Sequence, residues 1–128
     1  MALRDQLHVM VVDDMSTSRG LILQALDSFG LRNVQYAADG PAALQSLARQ
    51  PAHLVISDYN MPGMDGLRLL HALRSDDKLR KVGFILITGK ADKQIIDAGK
   101  KLGMNNFVKK PFQPNDLLAS IEAVVGRL

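Results

Sequence analysis

Apolar residues along the chain alternate between two spacings. Five short runs, His8–Val12, Asn33–Ala37, 54–57, Gly83–Thr88 and Asn106–Lys109, have the length and bounding residues of strands. Three of them are continuously apolar at their centre: Val9 to Val12, Leu54 to Ile56, and Phe84 to Ile87. Such runs predict parallel strands covered on both faces. Between the runs the spacing becomes helical. Ile22, Ala25, Leu26 and Phe29 form one stripe, Leu44, Leu47 and Ala48 a second, and Leu69, Leu70 and Leu73 a third. Ile95, Ile96, Gly99 and Leu102 form a fourth, and Leu117, Ile121, Val124, Val125 and Leu128 a fifth. Ser16 is placed to cap the first helix, Gly30 and Gly103 follow the ends of the first and fourth, and Pro114 can open the last.

Strict alternation of strand and helix predicts an α/β domain, a parallel five-stranded sheet with five helices wound on both faces. Ligands in such sheets bind beyond the carboxyl ends of the strands. Polar residues stand at those ends. Asp13 and Asp14 follow the first run, Asp58 the third, Thr88 closes the fourth, and Lys110 follows the fifth. One acidic residue after a strand is an ordinary loop residue or helix cap. Three carboxylates, a hydroxyl and a lysine on one sheet edge form a candidate site.

Clustered carboxylates repel one another unless a cation sits among them. Oxygen donors without histidine or cysteine suit a hard ion, and magnesium fits best. A carboxylate is also a competent nucleophile toward phosphorus. Phosphoryl transfer spreads negative charge over three equatorial oxygens, so positioned cations and donors supply most of the catalysis. Lys110 and the Thr88 hydroxyl could serve that purpose, and Gly89 leaves room beside them.

Composition narrows the reading. The chain of 128 residues fits one domain and lacks cysteine, which excludes disulfides, thiolate chemistry and cysteine-based zinc sites. His8, His53 and His71 are scattered without ligand spacing. Neither a secretory leader nor an apolar stretch of membrane-spanning length is visible, so a cytoplasmic protein with no membrane association is expected. Charge is uneven: four basic and six acidic residues precede Asp65, whereas twelve basic and seven acidic run from Asp65 onward. The basic residues occur singly or in pairs, without an arginine-rich arm or interleaved aromatics, so solvated helix faces are favoured over nucleic-acid binding. An acidic protein is the better candidate partner.

The strings Val11-Val12-Asp13-Asp14-Met15-Ser16-Thr17-Ser18-Arg19, Ser57-Asp58-Tyr59-Asn60-Met61-Pro62-Gly63-Met64-Asp65-Gly66, Thr88-Gly89 and Lys110-Pro111-Phe112 resemble a response regulator receiver domain of the stand-alone chemotaxis type. The resemblance spans nearly the whole chain. It implies a flavodoxin-like (βα)5 fold with strand order 2-1-3-4-5, a single receiver domain over residues 1–128 with no output domain, and a monomer. It also implies that Asp58 is phosphorylated by a histidine kinase. Asp14 and Asp58 would hold magnesium directly, Asp13 mainly through water, and Asn60 through its backbone carbonyl. Lys110 would bind a phosphoryl oxygen, with a cis bond to Pro111. Thr88 and Phe107 would form the switch pair, although Phe107 stands where chemotaxis members often carry tyrosine. Asn60 and Lys90 would overhang the pocket, with Lys90 tuning phosphate lifetime. Lys93, Lys100, Lys101, Phe107 and Lys109 fall on the expected partner face, whose target would be a flagellar motor switch protein or another acidic segment. The protein would catalyse only its own phosphoryl transfer and autodephosphorylation. Alternatives are a phosphate sink or phosphorelay intermediate draining a shared kinase, a metal-dependent hydrolase and, from the pI alone, a DNA-binding module.

Overall fold

The computed structural model describes residues 3–89 and 93–128. Its elements are α1 (Leu3–Gln6), β1 (His8–Val12), α2 (Ser16–Ser28), β2 (Asn33–Ala37), α3 (Gly40–Arg49) and β3 (Leu54–Asp58). They continue with α4 (Gly66–Arg74), β4 (Gly83–Thr88), α5 (Lys93–Lys101), β5 (Asn106–Lys109) and α6 (Pro114–Val125). The five strands form one sheet, all pairs parallel, in the order β2-β1-β3-β4-β5. Strand order and sheet type therefore match the expectation.

Side chains alternate across the sheet and build two cores. Met10, Val12, Val55, Phe84 and Leu86 face Ala43 and Leu47 of α3 and Leu69, Leu70 and Leu73 of α4, with Ile95, Ile96 and Leu102 from the α5 region packed on the rim. Val9, Val11, Leu54, Ile56, Ile85, Ile87 and Val108 face Ile22, Ala25 and Leu26 of α2 and Leu117 and Ile121 of α6. The central strands are thus buried on both faces, which is why their sequences are apolar without interruption. Among the described residues no helix is long and apolar enough to cross a membrane.

Three expectations about the elements are corrected. A sixth helix, α1, precedes the first strand; its four residues include no buried one, so it leaves no apolar stripe to read. Ser16 does not cap α2. The cap position belongs to Met15, without a side-chain cap bond, and Ser16 is the first helical residue. Instead the Asp13 carboxylate accepts the Met15 N–H at 3.0 Å. Finally, β3 runs one residue beyond its apolar stretch, so Asp58 lies inside the ladder opposite Ile87. Gly30 and Gly103 end α2 and α5 at φ 83° and 93°, in the left-handed region, and Pro114 opens α6, all as expected.

Arg74, which carries no apolar signal, ties the far end of the first core together. Its guanidinium donates to the carbonyls of Val82 at 2.7 Å and Gly103 at 2.8 Å. It also reaches Asn105 Oδ1 at 3.2 Å, which in turn accepts the Phe84 N–H. Burial holds this guanidinium below its usual pKa.

Candidate functional site

Each site residue is delivered by the carboxyl end of a strand. β1 ends at Val12, and the Asp13 N–H donates to Ala37 at the end of β2, which fixes the turn. Arg19 of α2 donates to the Asp13 carbonyl at 2.8 Å while its guanidinium lies 5.0 Å from the Tyr36 ring. Asp58 is held by the ladder and by its successor, since the Tyr59 N–H donates to Ile87 at 2.8 Å. The loop that follows returns at once: the Gly66 N–H donates to the Tyr59 carbonyl at 2.9 Å. Any side chain at 66 would force a shift, because a Cβ there would lie 2.6 Å from the Asp58 carbonyl oxygen.

Asp13, Asp14 and Asp58 each present a carboxylate oxygen within 4.8 Å of the others. The set is graded in exposure: Asp13 and Asp58 are buried and Asp14 is exposed. Lys110 Nζ lies 3.1 Å from Asp58 Oδ1 and 4.0 Å from Asp13 Oδ2. The Lys110-Pro111 bond is cis, and the Lys110 N–H donates to the Thr88 carbonyl at 2.8 Å. Thr88, buried at the end of β4, pairs in register with Lys109. A Cβ added at Gly89 would meet nothing within 4 Å among the described residues.

Electrostatics mark Asp58. Burial pushes its carboxyl above the usual range, and Asp13 and Asp14 push it further; the hydrogen bond and charge of Lys110 pull the other way without cancelling the rise. Asp13 Oδ2 is buried and, among the described residues, has no hydrogen-bond partner. A buried carboxylate oxygen without a donor is costly unless something cationic meets it. That orphan atom, among oxygen donors only, is what a hard divalent cation would satisfy, so the residues present fit a metal ion.

Other expected residues fall at varied places. Asn60 is exposed in the loop after β3. Phe107, half-buried in β5, pairs with Leu86 and packs against the Met10 and Phe84 side of the sheet. Lys93, Lys100, Lys101 and Lys109 are all exposed on α5 and β5. Lys100 and Lys101 occupy the last turn of α5, where the helix dipole also favours cations. Lys90 lies outside the described residues. The histidines are less scattered than expected: the His8 N–H donates to His53 Nδ1 at 3.0 Å, and the rings stand edge to face at 5.6 Å. They lie at the opposite, amino end of the strands. Among the described residues Asp13, Asp14 and Asp58 are the group able to hold a metal ion.

The sequence profile of the response regulator receiver domain matches residues 9–122. The chain belongs to that family. Receiver domains named as chemotaxis proteins align with it from end to end. A probable chemotaxis protein CheY of Rhizobium etli is 40% identical, with 100% of this chain and 99% of the relative covered. The chemotaxis protein CheY-3 of Vibrio cholerae is 33% identical over 98% of this chain and 97% of its own. Among solved structures, Vibrio cholerae CheY4 superimposes with a TM-score of 0.87 at 30% identity, covering 92% of this chain and 98% of that one. The receiver domain of a Pseudomonas aeruginosa sensor histidine kinase, solved with a magnesium ion in its active site cleft, gives 0.84 at 27% identity over 94% and 98%. This receiver domain is thus a CheY-like signalling protein of the two-component class.

Proposed function

We propose that this receiver domain accepts a phosphoryl group on Asp58 from a histidine kinase and, in that state, binds a target protein, most directly the flagellar motor switch. The carrying observation is Lys110 Nζ at 3.1 Å from a buried Asp58 that shares its pocket with two further carboxylates. Magnesium would be held by the side chains of Asp13, Asp14 and Asp58 and by the Asn60 carbonyl. When bound, it neutralises these carboxylates and the incoming phosphoryl oxygens. An Asp58 oxygen attacks phosphorus as the bond to the kinase imidazole breaks. The electron pair of that bond stays on the imidazole nitrogen. Lys110 follows the transferred group and binds one of its oxygens, while burial keeps bulk water from competing.

Output follows from the new charge. An acyl phosphate carries about −1.5 to −2 units of charge, in place of the single charge of the carboxylate, where the Thr88 hydroxyl can reach it. Thr88 moves toward the phosphoryl group and Phe107 turns inward behind it, which reshapes β5 and the neighbouring lysines. Phe107 acts by packing alone, because its ring carries no hydroxyl. Lys93, Lys100, Lys101 and Lys109 then present positive charge to an acidic segment, and the affinity should fall steeply with salt. The names of the relatives support chemotaxis as the setting.

Incubation with magnesium and acetyl phosphate tests the reading. One phosphoryl group per chain should accumulate, decay slowly, and be absent in Asp58→Asn. Sustained turnover of many donor molecules would indicate a hydrolase, and no adduct at all would remove the proposal. Pulldowns of the motor switch protein with and without acetyl phosphate separate an output regulator from a phosphate sink, which would show no phosphorylation-dependent capture.

A further inference from the structure

The ammonium of Lys110 has a second hydrogen-bond partner that the catalytic reading does not use. Lys110 Nζ donates to Ser18 Oγ at 3.0 Å, across 92 residues of sequence. Ser18 lies in the first turn of α2, half-buried at the edge of an open groove of about 750 Å³ that Lys110 also lines. A lysine ammonium has three N–H donors. One meets Asp58 Oδ1 at 3.1 Å and one meets Ser18. Asp13 Oδ2 is 4.0 Å away, within ion-pair range but beyond hydrogen-bond reach, and has no hydrogen-bond partner among the described residues. Attraction alone would draw the ammonium inward to Asp13.

We propose that Ser18 is a positioning residue for phosphoryl transfer: it fixes the Lys110 ammonium between Asp58 and α2, and so keeps Asp13 Oδ2 available to a cation. This rests on the phosphoacceptor reading. Without the Ser18 hydroxyl, the long lysine side chain recovers rotamer freedom and pairs with Asp13 for part of the time. Its charge is then absent from the transferring group, where a fixed donor contributes most. The reaction is the same as above: with acetyl phosphate as donor, the Asp58 oxygen to phosphorus bond forms, the bond to the acetate oxygen breaks, and acetate leaves with the electron pair.

The test compares Ser18→Ala, Ser18→Cys and Ser18→Thr with wild type at saturating magnesium and acetyl phosphate. Ser18→Ala should phosphorylate about three- to tenfold more slowly, the range expected for one charge-assisted hydrogen bond partly replaced by water. Ser18→Cys, close in volume but a poor acceptor, should follow it, and Ser18→Thr should restore the rate. In metal-free protein, the Lys110 ammonium resonance should exchange more rapidly with water in the Ala and Cys variants than in wild type. A Ser18→Ala rate within twofold of wild type overturns the inference. So does a Thr variant as slow as Ala, or an unchanged ammonium resonance. A wild-type protein that forms no Asp58 adduct would instead overturn the phosphoacceptor reading, and this inference with it.

Discussion

Asp58 carries charge where its surroundings disfavour charge. Burial and two neighbouring carboxylates outweigh Lys110, so its proton is held more tightly in the folded protein than in the unfolded chain. The sign of the linkage follows. Between the unfolded and folded pKa values the folded state binds the extra proton, so stability falls as pH rises through that window and stays lower above it. Below the unfolded value the penalty is absent. Asp58→Asn should therefore raise the melting temperature of metal-free protein at pH 7, by about 2–6 °C for a chain of this size. It should bring no gain near about pH 3. Thermal melts in chelator at both pH values check this; a destabilised Asn variant at pH 7 would show that Lys110 dominates after all. Asp13, Asp14, Asp58, Thr88 and Lys110 were legible in the sequence because each adjoins an apolar run whose direction the fold class fixes. Ser18 and Arg19 were not, because they act through the rotational phase of α2 on atoms contributed by other elements. The meeting of His8 and His53 was hidden for a similar reason, since strand register decides it.

The elements show where periodicity informs and where it fails. The three central strands were readable because burial on both faces leaves apolar runs, the edge strands β2 and β5 by their length and bounding residues, and β3 was shortened by one residue because a carboxylate ended its run. Helix α1 escaped because four residues, none of them buried, carry no pattern, and Arg74 because a guanidinium serving backbone carbonyls looks like any surface arginine. The start of α4 carries a sharper constraint. Asp65 caps it by accepting the Arg68 N–H at 2.9 Å, and Gly66 then passes so close to β3 that a Cβ would press on the Asp58 carbonyl oxygen and on Leu86 Cδ1 at 2.7 Å. One of the two atoms is backbone and cannot give way cheaply. Gly66→Ala should cost about 2 kcal/mol in urea denaturation, in the range of overpacked sites. Because the displaced strand end is the one bearing Asp58, magnesium affinity measured by calorimetry should fall as well. A loss of stability with unchanged magnesium affinity would mean that α4 moves and the strand does not.

Over the whole molecule, charge is sorted in space as well as in sequence. The acidic first half supplies all three carboxylates to one sheet edge, and the basic second half supplies Lys110 together with the exposed lysines of α5 and β5. Folding thus brings Asp58 to the adjacent pair Asp13 and Asp14, and the folded state offers a cation three oxygens within 4.8 Å of one another. A ligand that binds only the folded state stabilises it by mass action, about 2.7 kcal/mol at a hundredfold excess over Kd. For a domain of this length that corresponds to a rise of about 10 °C in melting temperature. Magnesium titrated during thermal melts should reach that rise at constant ionic strength, whereas sodium chloride at matched ionic strength should not, because screening lacks the coordination that Asp13 Oδ2 requires. Asp13→Asn removes a buried charge whose Oδ2 has no hydrogen bond, and should lose most of the magnesium response while melting no lower than wild type in chelator. Equal shifts from magnesium and from matched sodium chloride would mean that the carboxylates are relieved by general screening, and that the buried oxygen of Asp13 awaits no particular ion.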